Sequence, residues 1–68
     1  MDEIVFNNQI RKFLKTVRIQ SQREIESAVK QNLENGTLDL NKKLDVSMIL
    51  EVPLVGLKKT ISGEIILE

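Results

Sequence analysis

The chain has 68 residues, ten basic and ten acidic side chains, and neither histidine nor cysteine. Histidine and cysteine supply most general bases near neutral pH, most thiol nucleophiles and most transition-metal ligands. We therefore expect a protein that is not an enzyme, with no catalytic residue, no cofactor, no metal site and no disulfide. The zero net charge argues against nucleic acid or a membrane surface as partner, since proteins that bind them usually carry a basic excess.

The length predicts a single domain over residues 1–68, close to the size at which one hydrophobic core leaves little net stability. We expect the missing support to come from a homodimer or from an unknown protein partner. The N-terminus lacks the basic start and apolar run of a secretory signal, and no segment approaches the ~20 apolar residues of a membrane span. These features predict a cytoplasmic protein.

The first predicted element is an amphipathic helix over residues 3–17, with Asp2 as its N-cap. Its apolar residues recur at i, i+4, i+7, i+8 and i+11, which places them on one stripe. These residues are Phe6, Ile10, Phe13, Leu14 and Val17.

A second helix is predicted over residues 22–34, because Ser21-Gln22-Arg23-Glu24 has the S-x-x-E pattern of a capping box. We assign Ser21 a structural role, since no histidine is present to activate it as a nucleophile. Asn35-Gly36 supplies the left-handed residue that ends a helix. The apolar stripe of this helix consists of Ile25, Ala28, Val29 and Leu33.

The polar side of the helical half carries candidate contacts to an anion or to nucleic acid, namely Arg11, Lys12, Lys15, Arg18 and Arg23. The alternative interpretation is a solvated face, with the cations near Arg18 complementing the dipole at a helix C-terminus. Charged helix faces are usually only solvated, so the alternative is favoured.

The second half of the chain alternates with a period of two, which predicts strands at 44–52 and 59–67 joined by residues 53–58 as an antiparallel hairpin. A short extra strand is a candidate near residues 37–40. The predicted register sets Leu50 opposite Ile61 and keeps Asp45 away from Glu64, because like charges directly opposite each other are unfavourable. The same register places Val46 opposite Ile65, Leu44 opposite Leu67, Asp45 opposite Ile66 and Met48 opposite Gly63.

Together these elements predict an α+β fold of order ααββ, with the two helices packed on the shared apolar face of the hairpin. The outward face and the connecting loop still carry apolar residues, which form a candidate interaction surface: Ile49, Ile66, Leu54, Val55 and Leu57. Scattered apolar residues are normal on protein surfaces, so a passive interpretation remains open. The outward carboxylates Asp45, Glu51, Glu64 and Glu68 could in principle pair for acid–base catalysis or bind a divalent cation. The sequence shows no sign of a pocket around them, so an enzyme is the least favoured interpretation.

Three segments carry a resemblance to a known family. Arg11–Lys15, Ser21–Glu26 and Gly63–Glu68 resemble segments of a family of small, uncharacterised bacterial proteins of about this length. The resemblance covers nearly the whole chain. It departs at Arg18, where the family often has glycine, and at Leu54–Leu57, where the family has a Gly-Leu-Gly-Leu-like turn. The family has no known activity, so the resemblance implies none.

These observations lead to two functional hypotheses. The first is a non-enzymatic interaction or structural module that self-associates, or docks another protein, through the hairpin and its open edges. The alternative is a truncated winged helix-turn-helix that binds nucleic acid, with the Ser21-capped helix in the groove and Lys58 and Lys59 at the wing. The zero net charge and three acidic residues on the supposed recognition helix argue against the alternative.

Overall fold

The N-terminal cap forms as the sequence predicts. In the computed structural model, which describes residues 1–67, the carboxylate of Asp2 accepts hydrogen bonds from the backbone N–H of Ile4 (3.0 Å) and Val5 (3.2 Å). Glu3 adds an acidic side chain to the first turn. Both features satisfy or complement the free N–H groups of a helix N-terminus.

The helix that begins at Glu3 does not stop near residue 17. It continues as α1 (Glu3–Glu34), a single helix of 32 residues, so the prediction of two helices is wrong. The S-x-x-E pattern does not cap a helix, because Ser21 lies in the middle of α1. The physical reason is that no glycine or proline occurs before Gly36. Extending a formed helix through Arg18–Ser21 satisfies one backbone hydrogen bond per residue, whereas a break leaves two sets of ends and requires a second nucleation.

The C-terminus of α1 is closed by a Schellman motif. Gly36 adopts a positive φ of 73°, its N–H donates to the carbonyl of Leu33, and the N–H of Thr37 donates to the carbonyl of Asn32. The hydroxyl of Thr37 adds a bond of 2.7 Å to the side-chain oxygen of Asn32. The prediction that Asn35-Gly36 ends the helix is confirmed.

The segment after α1 is a turn, so the candidate strand near 37–40 is absent from residues 1–67. The carboxylate of Asp39 accepts from the backbone N–H of Asn41 (2.9 Å), and the carbonyl of Asp39 accepts from the N–H of Lys42 (3.1 Å). Aspartate favours turns because its side chain bonds the backbone two residues further on. This local bonding prevails over the brief alternation of apolar residues.

The strand half is an antiparallel hairpin, as predicted. It consists of β1 (Lys43–Val52), a 3₁₀ turn at Pro53–Val55, and β2 (Leu57–Ile66). Proline suits the start of this turn because its φ is already fixed, and Gly56 takes the left-handed conformation (φ 67°) that reverses the chain. The N–H of Gly56 donates to the carbonyl of Pro53 at 3.0 Å.

The observed register differs from the predicted one by two residues. Val52 pairs with Leu57, Leu50 with Lys59, and Val46 with Gly63, so Asp45 does lie opposite Glu64. The predicted pairs of Leu50 with Ile61 and of Val46 with Ile65 are therefore wrong. The compact turn that ends at Gly56 lets pairing begin at Leu57. It adds the rungs Val52 with Leu57 and Glu51 with Lys58, which a loop over residues 53–58 would lose. A shift of two preserves the faces, and one unfavourable charge pair costs only ~0.2–1 kcal/mol.

Within the helix and the strands, every half-buried residue except Ser21 is apolar. On the hairpin, the half-buried strand residues all belong to one face: Leu44, Val46, Leu50 and Ile65. On α1 the half-buried residues all lie between Val17 and Leu33: Val17, Ile19, Ser21, Ile25, Val29 and Leu33. None of residues 1–67 is fully buried.

The chain divides into two compact units, Met1–Thr37 and Leu38–Glu68. The predicted single domain, with the helical part packed on the hairpin, stays a prediction.

Replacing Ser21 by alanine distinguishes a helix interior from a helix start. In the interior of α1, alanine should raise the free energy of unfolding by up to ~0.5 kcal/mol, because it has the highest helix propensity. At an N-cap the same change would cost ~0.5–2 kcal/mol. Urea unfolding followed by circular dichroism measures the difference, with Asp2→Ala as the control that should destabilise. A destabilised Ser21→Ala chain would contradict the continuous helix.

Two glycines form a matched pair for testing backbone strain. A Cβ added at Gly36 or at Gly63 would meet no atom within 4 Å, and only Gly36 has a positive φ. We expect Gly36→Ala to lower the free energy of unfolding by ~1 kcal/mol and Gly63→Ala to raise it by ~0.5 kcal/mol, since alanine pays strain at the first site and strengthens a strand at the second. Thermal unfolding of both variants checks this, and equal effects would contradict the Schellman geometry.

Candidate interaction surfaces

The outward hairpin face presents its two isoleucines at separate places. Ile49 and Ile66 are 60% and 58% exposed. Ile66 lies opposite Lys43, and the six residue steps from Lys43 to Ile49 span about 20 Å along β1. Two polar rungs separate the isoleucines, Asp45 with Glu64 and Ser47 with Ser62. The two side chains share a face as predicted, but they do not form one continuous apolar patch.

The hairpin tip is the most exposed apolar feature of residues 38–67. Leu54 is 98% exposed and Val55 is 74% exposed, because the 3₁₀ turn directs both side chains away from the strands. Leu57 starts β2 opposite Val52 and so belongs to the apolar face of the hairpin. The predicted surface of Ile49, Ile66, Leu54, Val55 and Leu57 is thus divided among the outward face, the tip and the apolar face.

The acidic side chains of the hairpin do not form a chemical site. Asp45 and Glu64 lie on opposite strands beside an open depression of about 400 Å³, which also includes Ser47, Ser62 and Gly63 in its lining. Within residues 1–67 no group of three or more carboxylate, histidine or cysteine side chains could hold a metal ion. Glu51 lies opposite Lys58 instead of another acid. Glu68 lies outside the described residues.

The basic residues of the helical half lie along the middle of α1. The helix runs to Glu34 and has no basic residue in its last turn, so stabilisation of a helix C-terminus does not explain them. Helical spacing groups the side chains of Arg11, Lys15 and Arg18 on one side of α1 and those of Lys12 and Arg23 on another. The helix-turn-helix part of the winged alternative is absent, because α1 has no turn between residues 17 and 22.

One surface was not recognised from the sequence as an interaction surface. We call it the N-terminal stripe and define it as Phe6, Ile10, Phe13 and Leu14. Every residue from Met1 to Thr16 is exposed, and Phe13 is 58% exposed. The stripe also lies between opposite charges, with Asp2 and Glu3 before it and basic residues from Arg11 to Arg18 alongside and after it. This polarity was visible in the sequence.

The whole chain, residues 1–68, matches the model of a family described as a family of unknown function, DUF6494. The chain belongs to this family. The resemblance of the sequence to a family of small uncharacterised proteins is therefore confirmed, and membership assigns no activity. No match is found among the curated proteins or among the solved structures. Within residues 1–67, no helix combines the length and the apolar character needed to cross a membrane.

The charges opposite each other on the outward hairpin face yield a matched pair of variants. Glu64→Lys replaces a like-charge rung with an opposite-charge rung beside Asp45, and it should raise the free energy of unfolding by ~0.5–1 kcal/mol. Glu51→Lys replaces an opposite-charge rung with a like-charge rung opposite Lys58, and it should lower the free energy of unfolding by a similar amount. Unfolding at low and at high salt measures both, and the two effects should shrink with added salt. Equal effects of the two variants would contradict the observed register.

Proposed function

We propose that this chain is a non-enzymatic protein-interaction module that self-associates through its β-hairpin. The observation that supports this is the complete lack of buried side chains among residues 1–67, although 41% of the chain is hydrophobic. A hairpin of two strands is marginally stable in water unless something covers its apolar face. A protein partner supplies such cover, and a second copy is the simplest partner.

The hairpin edges favour this proposal. The described sheet has two strands, so each strand has one side paired and one side with free backbone N–H and C=O groups. Such edges form a template for pairing with another strand. Pro53 interrupts pairing at the turn, where the strands end, and leaves the remaining length of β1 free to pair.

The tip and the outward isoleucines offer separate apolar contacts in addition to the edges. Leu54 and Val55 protrude at the tip, and Ile49 and Ile66 project from the face that carries no half-buried residue. Covering one such side chain contributes about 1.5–3 kcal/mol. The proposal needs no catalytic group, cofactor or metal ion. Nucleic-acid binding and a cytoplasmic location stay predictions, and no observation favours nucleic acid over protein as the partner.

Adding a charge to the hairpin surface tests the proposal. We expect Ile66→Glu and Leu54→Asp each to raise the dissociation constant of the self-association at least tenfold, because each places a charge in an apolar contact. Both side chains are largely exposed, so folding should be retained. Sedimentation across a wide concentration range gives the constant, and circular dichroism confirms the fold.

The control is Asn41→Asp, which adds the same charge in the turn before β1 and leaves the hairpin surface intact. Its dissociation constant should equal that of the unmodified chain. Assemblies of unchanged mass in Ile66→Glu and Leu54→Asp would remove the hairpin from the interface.

A further inference from the structure

The N-terminal stripe forms an apolar surface on a helix segment whose residues are all exposed. Phe6, Ile10, Phe13 and Leu14 recur at helical spacing on one side of α1. Their exposed fractions, between 40% and 58%, are large for aromatic and aliphatic side chains on a well-formed helix. A contiguous apolar stripe of this kind marks a contact surface more often than isolated exposed residues do.

We propose that the N-terminal stripe pairs with the same stripe of a second copy, antiparallel, about a two-fold axis near Ile10. The inference rests on the proposed function in one respect, that the chain is an interaction module, and it adds a second surface to the hairpin. It identifies the occupant of the stripe as another copy of this chain. Two amphipathic helices pack in this way at a distance of 8–10 Å, with side chains interdigitated.

The charges decide the direction of the pairing. An axis at Ile10 places Asp2 level with the partner's Arg18 and Glu3 level with the partner's Val17. Glu3 precedes Phe6 and Ile10 by three and seven residues, so its carboxylate lies on the stripe side of α1. Arg18 follows Leu14 by four residues and borders the stripe. The acidic start of each helix thus meets the basic segment of the other, whereas a parallel pair would place acid beside acid.

The apolar residues also match in the antiparallel arrangement. Phe6 lies level with the partner's Leu14, and Ile10 meets its own equivalent on the axis. The contact is isologous, so each apolar and each charged contact occurs twice. The paired length of about 15 residues is about 22 Å, which is short for a specific interface, since such interfaces bury about 1,000 Å² or more. We therefore expect a dimer that dissociates on dilution.

Charge exchange in the full chain tests the direction of pairing. Glu3→Arg alone and Arg18→Glu alone should each weaken the dimer about tenfold, because each places like charges together at both ends of the pair. An equimolar mixture of the two variants should recover the affinity of the unmodified chain, because both ends of the mixed pair again join an acid to a base. Sedimentation equilibrium at low salt measures all three samples.

The mixture separates charge pairing from helix stability. A loss of helix stability caused by either substitution would also be present in the mixture, whereas the mixture restores the charge pairs. Lys12→Glu is the matched control: it reverses one charge on the side of α1 away from the stripe and should leave the dimer unchanged. Ile10→Asp should abolish the pairing, with circular dichroism to show that α1 is retained.

The outcomes separate this inference from the hairpin proposal. Dissociation by Ile10→Asp together with recovery in the mixture supports the helix pairing. If Ile66→Glu dissociates the assembly while Ile10→Asp and both charge variants leave it intact, the helix pairing is overturned and the hairpin proposal stands. A mixture that stays as weak as its components also overturns it. A chain that is monomeric at every concentration overturns both.

Discussion

Each of the two units is a single layer thick. A lone helix is one layer and a two-stranded sheet is one layer, so neither unit can enclose a side chain. Accordingly none of residues 1–67 is fully buried, and both apolar faces are at most half-covered. Local hydrogen bonds and caps define each unit, but an isolated two-stranded hairpin is marginal in water, and most of the stability of helices in proteins comes from packing of an apolar face.

Local features of the chain were predictable because they depend on neighbouring residues. The Asp2 cap, the Asn35-Gly36 terminus, both strands and the face that each strand residue occupies all follow from the sequence. The predicted break at Ser21 is absent, because a capping pattern stabilises a helix start without requiring one. Where no glycine or proline interrupts the chain, propagation of the helix prevails. The continuous helix then moves the basic residues near Arg18 away from any helix terminus.

The hairpin shows the same division between what the sequence determines and what it leaves open. Alternation assigns faces, since a side chain's face depends only on the period of two. Register depends on where the turn closes, and the 3₁₀ turn at Pro53–Val55 with Gly56 closes it two residues earlier than charge avoidance suggested. The change of register also changed the distances between the residues of the candidate surface. Ile49, Ile66 and the tip were correctly recognised as exposed, but their distances depend on strand geometry that composition cannot supply.

Membership of a family of unknown function leaves the role of the chain to physical argument. If another copy covers the apolar surfaces, folding and association form one coupled equilibrium, and the stability of the chain depends on its concentration. Helix pairing and hairpin pairing use different surfaces, so a chain that used both would connect each copy to two neighbours. Such an assembly closes into a tetramer only when the two axes meet at a suitable angle, and otherwise it extends. If the short helix contact is the weaker of the two interfaces, it determines how large the assembly becomes at a given concentration.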